Sequence, residues 1–83
     1  MFKIKLTARA KRELKSISER HKEAISLIFE ELRQDAMIGK PLSRNLKGSF
    51  SYRVGVYRIV YKVNLKDKIV LIVTTGYRST VYN

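Results

Sequence analysis

The hydrophobic period changes twice along this chain, and each change restricts what it can fold into. Phe2-Lys3-Ile4-Lys5-Leu6 alternates apolar and basic residues with a period of two, the pattern of a strand with Phe2, Ile4 and Leu6 inward and both lysines in water. Then the period lengthens. Thr7 is placed to cap a helix on which Ala10, Leu14 and Ile17 share a face at i, i+4 and i+7. After a hinge at Ile17-Ser18-Glu19-Arg20-His21, a second stripe (Ile25, Ile28, Phe29, Leu32, Ala36) predicts a helix over about residues 22–37, closed by Gly39 and Pro41. Leu14, Ile17, Ile28 and Leu32 read as core. Past Pro41 come turn and basic residues (Ser43, Arg44, Asn45, Lys47, Gly48), then strands over 51–54, 56–64 and 69–75, with a turn at Leu65-Lys66-Asp67-Lys68. The expected order is β-α-α-β-β-β, an α+β fold in which a helical hairpin covers one face of a mainly antiparallel four-stranded sheet. The other face stays open.

Neither half of such a chain could bury a core alone, so its 83 residues are expected to form a single domain, 1–83. There is no cysteine, and the longest apolar run, 69–73, is far short of the roughly 20 residues that span a bilayer. No secretion signal is evident, and a cytoplasmic location is expected. Charge is distributed unevenly. Residues 1–35 carry nine basic and six acidic side chains, residues 36–83 nine basic and one acidic, and no acid occurs between Asp35 and Asp67. Such a field favours a polyanion or an acidic protein partner. Within 56–64 a period of two sets Arg58, Val60 and Lys62 on one side and Tyr57, Ile59, Tyr61 and Val63 on the other, so one face of the strand is basic.

Residue types remove several chemistries. One histidine, His21 at the expected interhelical turn, excludes a two-histidine ribonuclease and a histidine zinc site, and the acids are too scattered for a two-metal nuclease. No phosphate-binding glycine fingerprint is present, and no metal or cofactor is expected. Cations, tyrosines and hydroxyls remain. They suit metal-free cleavage of RNA by its own 2′-hydroxyl, which needs a base, positive charge on the phosphorane-like transition state and stabilisation of the leaving 5′-oxygen.

Arginine and tyrosine recur through Leu46-Lys47-Gly48, Tyr52-Arg53-Val54, Gly55-Val56-Tyr57-Arg58-Ile59-Val60-Tyr61 and Gly76-Tyr77-Arg78 with Val81-Tyr82. In these blocks, and in element order over essentially the whole chain, the sequence resembles the RelE family of the RelE/ParE toxin superfamily. The resemblance implies the toxin half of a type II toxin–antitoxin pair, a metal-independent endoribonuclease that cuts mRNA on the ribosome. The ParE branch shares the fold but poisons DNA gyrase, and an inactive basic RNA-binding module is a third reading. By position, the resemblance makes Arg58 the phosphate-binding arginine, Arg78 the second catalytic arginine and Tyr82 the catalytic tyrosine. Arg53 stands where relatives carry a basic residue, Gly55 where some carry a second one, and Lys47, Arg44 and Lys62 are further candidates for holding substrate. Taken singly, Arg58 reads as an ordinary solvated arginine and Arg78 and Tyr82 as incidental; their joint occurrence at the family's spacings is what implies a site. Tyr52, Tyr57 and Tyr61 read as core or sheet-packing residues. The implied partners are an acidic antitoxin, the ribosome and mRNA, with no membrane, and the toxin alone is expected to be a monomer that forms larger assemblies with its antitoxin.

Overall fold

A computed structural model describes residues 1–17, 19–42, 48–54 and 57–77. Strand β1 (Lys3–Leu6) leads into helix α1 (Ala8–Lys15) and helix α2 (Glu19–Gln34); β2 (Lys40–Pro41), β3 (Ser49–Val54), β4 (Tyr57–Asn64) and β5 (Ile69–Tyr77) follow. The five strands form one sheet in the order β1-β5-β4-β3-β2. The expected meander is present, β3 antiparallel to β4 and β4 to β5, while β1 joins β5 in parallel. The sheet has one strand more than expected. The sequence predicts a loop from Pro41, yet Lys40 and Pro41 pair with Ser51 and Phe50, and the Leu42 amide donates to the Ser49 carbonyl at 2.9 Å. Two residues cannot display a period, and proline, which has no N–H to give a ladder, is tolerated at an edge.

Thr7 caps α1 as expected, its hydroxyl accepting from the Ala10 amide at 3.1 Å. Helix α2 starts at Glu19, earlier than the hinge reading allowed, and ends at Gln34 rather than near residue 37. The C-terminal difference has a tertiary cause. The Arg33 carbonyl, which a longer helix would offer to the Met37 amide, accepts from the Phe2 amide at 3.0 Å, while the Met37 amide donates to the Asp35 carboxylate at 3.2 Å and the Ala36 carbonyl accepts from the Tyr61 hydroxyl at 2.9 Å. Ala36 is therefore a core residue just beyond the helix it was assigned to.

The core lies between the helices and one sheet face. Ala10, Ile25, Ile28, Leu32 and Ala36 meet Tyr57, Ile59, Tyr61, Val70 and Ile72, while Leu14, Ile17, Phe29, Phe50 and Tyr52 pack at its margin. The Phe50 and Tyr61 rings stack at 5.4 Å, and the Tyr52 hydroxyl donates to Glu31 of α2 at 3.1 Å. Alternation along β4 thus holds, with Tyr57, Ile59 and Tyr61 beneath the helices and Arg58, Val60 and Lys62 directed to the other face. Neither helix is long and apolar enough to cross a membrane.

Candidate active site

Every basic residue of the five strands falls on the face away from the helices. Lys3 and Lys5 alternate with the inward Ile4 and Leu6, Lys40 pairs with Ser51, and Arg53, Arg58 and Lys62 alternate with Tyr52, Ile59 and Tyr61. The strands contain no aspartate or glutamate, because the acids sit on α1, on α2 and its C-terminal end, and in the turn at Asp67. Among the described residues the helical layer therefore carries nearly all the negative charge, and every charged side chain of the other sheet face is basic. A field of this kind attracts a polyanion to one side of the molecule.

The sharpest concentration is a cross-strand pair. Arg53 of β3 lies directly opposite Arg58 of β4. Opposed residues of an antiparallel pair have Cβ atoms about 5 Å apart, so like charges there cost stability unless an anion or a dipole answers them. Arg58 in turn pairs with Gly76 of β5, which offers no side chain. Two cations beside a residue without a side chain are the groups that can together hold a phosphate.

Burial corrects one expectation. Arg58 is not a solvated arginine near an edge: β4 lies between β3 and β5, and the residue is only 5% exposed. A guanidinium is rarely so buried, and its hydration has to be replaced by other interactions. Arg53, by contrast, is exposed. Lys62 is exposed too, but stands four residues further along β4, about 13 Å from Arg58 at the usual strand rise. It borders a separate trough of about 550 Å³, with Lys5 across from it and Ile69, Leu71 and Leu65 among the lining residues. The structure thus brings Arg53 and Arg58 together and puts Lys62 at the other end of the same face. Arg44, Lys47, Gly55, Arg78 and Tyr82 lie outside the described residues.

Two tyrosines are poor candidates for a base. Burial pushes the Tyr61 phenol up, which the Gly39 amide offsets in part; burial also raises Tyr52, and its hydrogen bond and proximity to Glu31 add to the effect. Both point toward the helices. His21, expected at the surface of an interhelical turn, is instead half-buried in α2 with its ring edge-on to Tyr57 at 4.9 Å and 66°.

What sequence reasoning missed is the device that sets the register of β5. Tyr61 pairs with Ile72, but Val60 pairs with Thr74, so β5 carries one extra residue. The Thr75 amide beside this bulge donates to Glu13 of α1 at 2.9 Å, and the Thr74 hydroxyl donates to the same carboxylate at 2.7 and 2.9 Å. A signal was present: Glu13 lies one turn from both Ala10 and Ile17, a carboxylate beside the inward stripe.

Comparison with known proteins agrees with this geometry. The family described as "ParE toxin of type II toxin-antitoxin system, parDE" matches residues 4–82. The chain is 32% identical over 83 residues to Toxin RelG of Mycobacterium tuberculosis, spanning 98% of this chain and 95% of the relative. In structure it is similar to a chain of the toxin–antitoxin complex RelBE2 from the same organism, with a TM-score of 0.85 and 32% identity over 93% of this chain and 98% of the other. It also shares its fold with the isolated E. coli RelE toxin, at a TM-score of 0.81 and 21% identity over 99% and 92% of the two chains. From the match over nearly its whole length, the chain belongs to the RelE/ParE superfamily of type II toxin–antitoxin toxins.

Proposed function

We propose that this toxin is a ribosome-dependent mRNA endonuclease that cleaves without a metal, acting in the cytoplasm as a single domain. The observation that carries the reading is the Arg53–Arg58 pair on a sheet face whose strands hold no acid. In the proposed reaction Tyr82, as phenolate, takes the proton of a 2′-hydroxyl. The freed 2′-oxygen attacks the adjacent phosphorus, the bond to the 5′-oxygen breaks, and a cyclic phosphate is left. Arg58, with Arg53 beside it, holds the phosphate oxygens as charge builds on them. Arg78 stabilises the charge on the leaving 5′-oxygen, which takes its proton from water, since a guanidinium hardly releases a proton at ordinary pH. In this scheme Arg44, Lys47 and Lys62 contact the flanking backbone. With Arg58 only 5% exposed, engaging a phosphate requires its surroundings to rearrange.

The partner we propose is an acidic antitoxin that is partly disordered alone and folds against this basic face, in keeping with the relative whose structure is a toxin–antitoxin complex. The toxin by itself is then a monomer, and larger assemblies form with the antitoxin. A second reading rests on the matched family's own description as ParE toxin, and would make DNA gyrase the target. Expression in a bacterial host separates the two. Truncated mRNAs and growth arrest with the wild type, but not with Arg58→Ala, support the nuclease; gyrase-dependent double-strand breaks with intact mRNA overturn it.

A further inference from the structure

We propose that Glu13 is a positioning residue of this site, holding the β5 bulge so that Gly76 rather than Thr75 faces Arg58; the inference rests on the nuclease reading. Register makes the case. Continuing the β4–β5 ladder without interruption from Tyr61 and Ile72 would put Val73 opposite Val60, Thr74 opposite Ile59 and Thr75 opposite Arg58. The observed partners are Thr74, Thr75 and Gly76. The extra residue therefore moves Thr75 to the helical side, where it is 1% exposed, and delivers a residue without a side chain to the arginine face. From there β5 runs to Tyr77, the last described residue before Arg78 in the chain.

A bulge takes backbone groups out of the ladder, and buried groups must find other partners. Helix α1 and its cap supply them. The Thr7 hydroxyl donates to the Val73 carbonyl at 2.8 Å, just past the last rung of the β1–β5 ladder. Glu13 receives the Thr75 amide and the Thr74 hydroxyl, and Arg9 approaches the same carboxylate at 3.4 Å. The carbonyl of the extra residue and the amide of Thr75 are thus satisfied by side chains of a single helix and its cap. Of these, the Glu13 contacts are the charge-assisted ones and touch the residue next to Gly76. Glu13 stands on the helical side of the sheet and does not meet RNA in this scheme; it acts on the reaction only through the course of β5.

The test compares wild type, Glu13→Ala, Glu13→Gln and a core control, Ile28→Val, in single-turnover cleavage of mRNA on programmed ribosomes, all below their melting temperatures. Glu13→Ala is expected to lower the cleavage rate at saturating ribosome by about tenfold or more, the factor that corresponds to about 1.4 kcal/mol of barrier. Its ribosome affinity is expected to stay within about twofold of wild type. Glu13→Gln, whose amide oxygen still accepts from Thr75, recovers most of the rate, and Ile28→Val, destabilised without touching β5, cleaves like wild type. A merely structural role predicts lowered melting temperature with cleavage unchanged, and that result in Glu13→Ala, or failure of Glu13→Gln to recover the rate, overturns the proposal. Amide hydrogen exchange separates this from failure of the nuclease reading. If wild type cuts no mRNA, that reading falls, and faster exchange at Thr75 and Gly76 in Glu13→Ala but not in Ile28→Val still supports the role in holding the bulge, while equal exchange rules it out.

Discussion

The Tyr61 hydroxyl is enclosed, with the residue 0% exposed, and works in both directions: it donates to the Ala36 carbonyl and accepts from the Gly39 amide, each at 2.9 Å. Gly39 is required by this approach. A Cβ there would lie 2.6 Å from the Tyr61 hydroxyl oxygen and 3.0 Å from the Ser51 carbonyl oxygen. Gly39→Ala is expected to cost about 1–3 kcal/mol, as overpacking does, measured by urea unfolding. The phenols also set an alkaline limit. Tyr61 and Tyr52 are both raised from 10.0, so the stability they contribute is complete below that value and lost as pH rises through their higher folded values. Unfolding curves from neutral pH upward should show wild type weakening above about pH 10, with a shallower fall in Tyr61→Phe. At the site, Arg58→Ala is expected to remove on the order of 2–4 kcal/mol of transition-state stabilisation, about a hundredfold or more in single-turnover rate. Tyr82→Phe should slow the same step while leaving ribosome binding nearly intact. Cleavage by Tyr82→Phe at the wild-type rate would remove that residue as the base.

Among the elements, β3 depends on how it is entered. Gly48, immediately before Ser49, has φ 85°, a left-handed conformation, and nothing lies within 4 Å of where a Cβ would stand. The cost of a side chain there is conformational rather than a clash. Gly48→Ala should lose about 1 kcal/mol and Gly48→Asn less, because asparagine tolerates left-handed backbone; equal losses in chemical denaturation would point to packing instead. Helix α1 depends on tertiary contacts in another way. It is a short helix with only Ala10 fully buried, and isolated helices of that length are marginal. Its Thr7 and Glu13 contacts to β5 give it a second anchor.

For the whole molecule, the separation of charge between a helical layer with acids and a sheet face without them makes binding salt-dependent. Reversing Lys5 and Lys62, which border the same trough, should weaken binding of a single-stranded RNA. If each contacts one phosphate, the slope of log K against log salt falls by about 1.4, at ~0.7 per contact. An unchanged slope in titrations across a salt series would remove both lysines from the RNA path. Antitoxin association should weaken with salt for the same reason.

All the strands but β2, the two helices, the inward residues and the basic side of β4 were legible from residue order, because a period of two or of three to four is imposed by the backbone geometry of each element alone. The family was legible from its arginine and tyrosine blocks. Arg58 could be named from those blocks, but not its burial. Nor could its opposition to Arg53 and Gly76 be read, since register is a relation between strands and shifts with a single bulge. The end of α2 was misjudged because the Arg33 carbonyl is taken by the Phe2 amide from the other end of the chain, and the Ala36 carbonyl just past the helix by a tyrosine hydroxyl 25 residues away. Glu13 looked like one more helix acid. Its contacts with Thr74 and Thr75, 61 and 62 residues distant, exist only once the helix lies on the sheet, because local periodicity records which way a side chain points but not what it will meet.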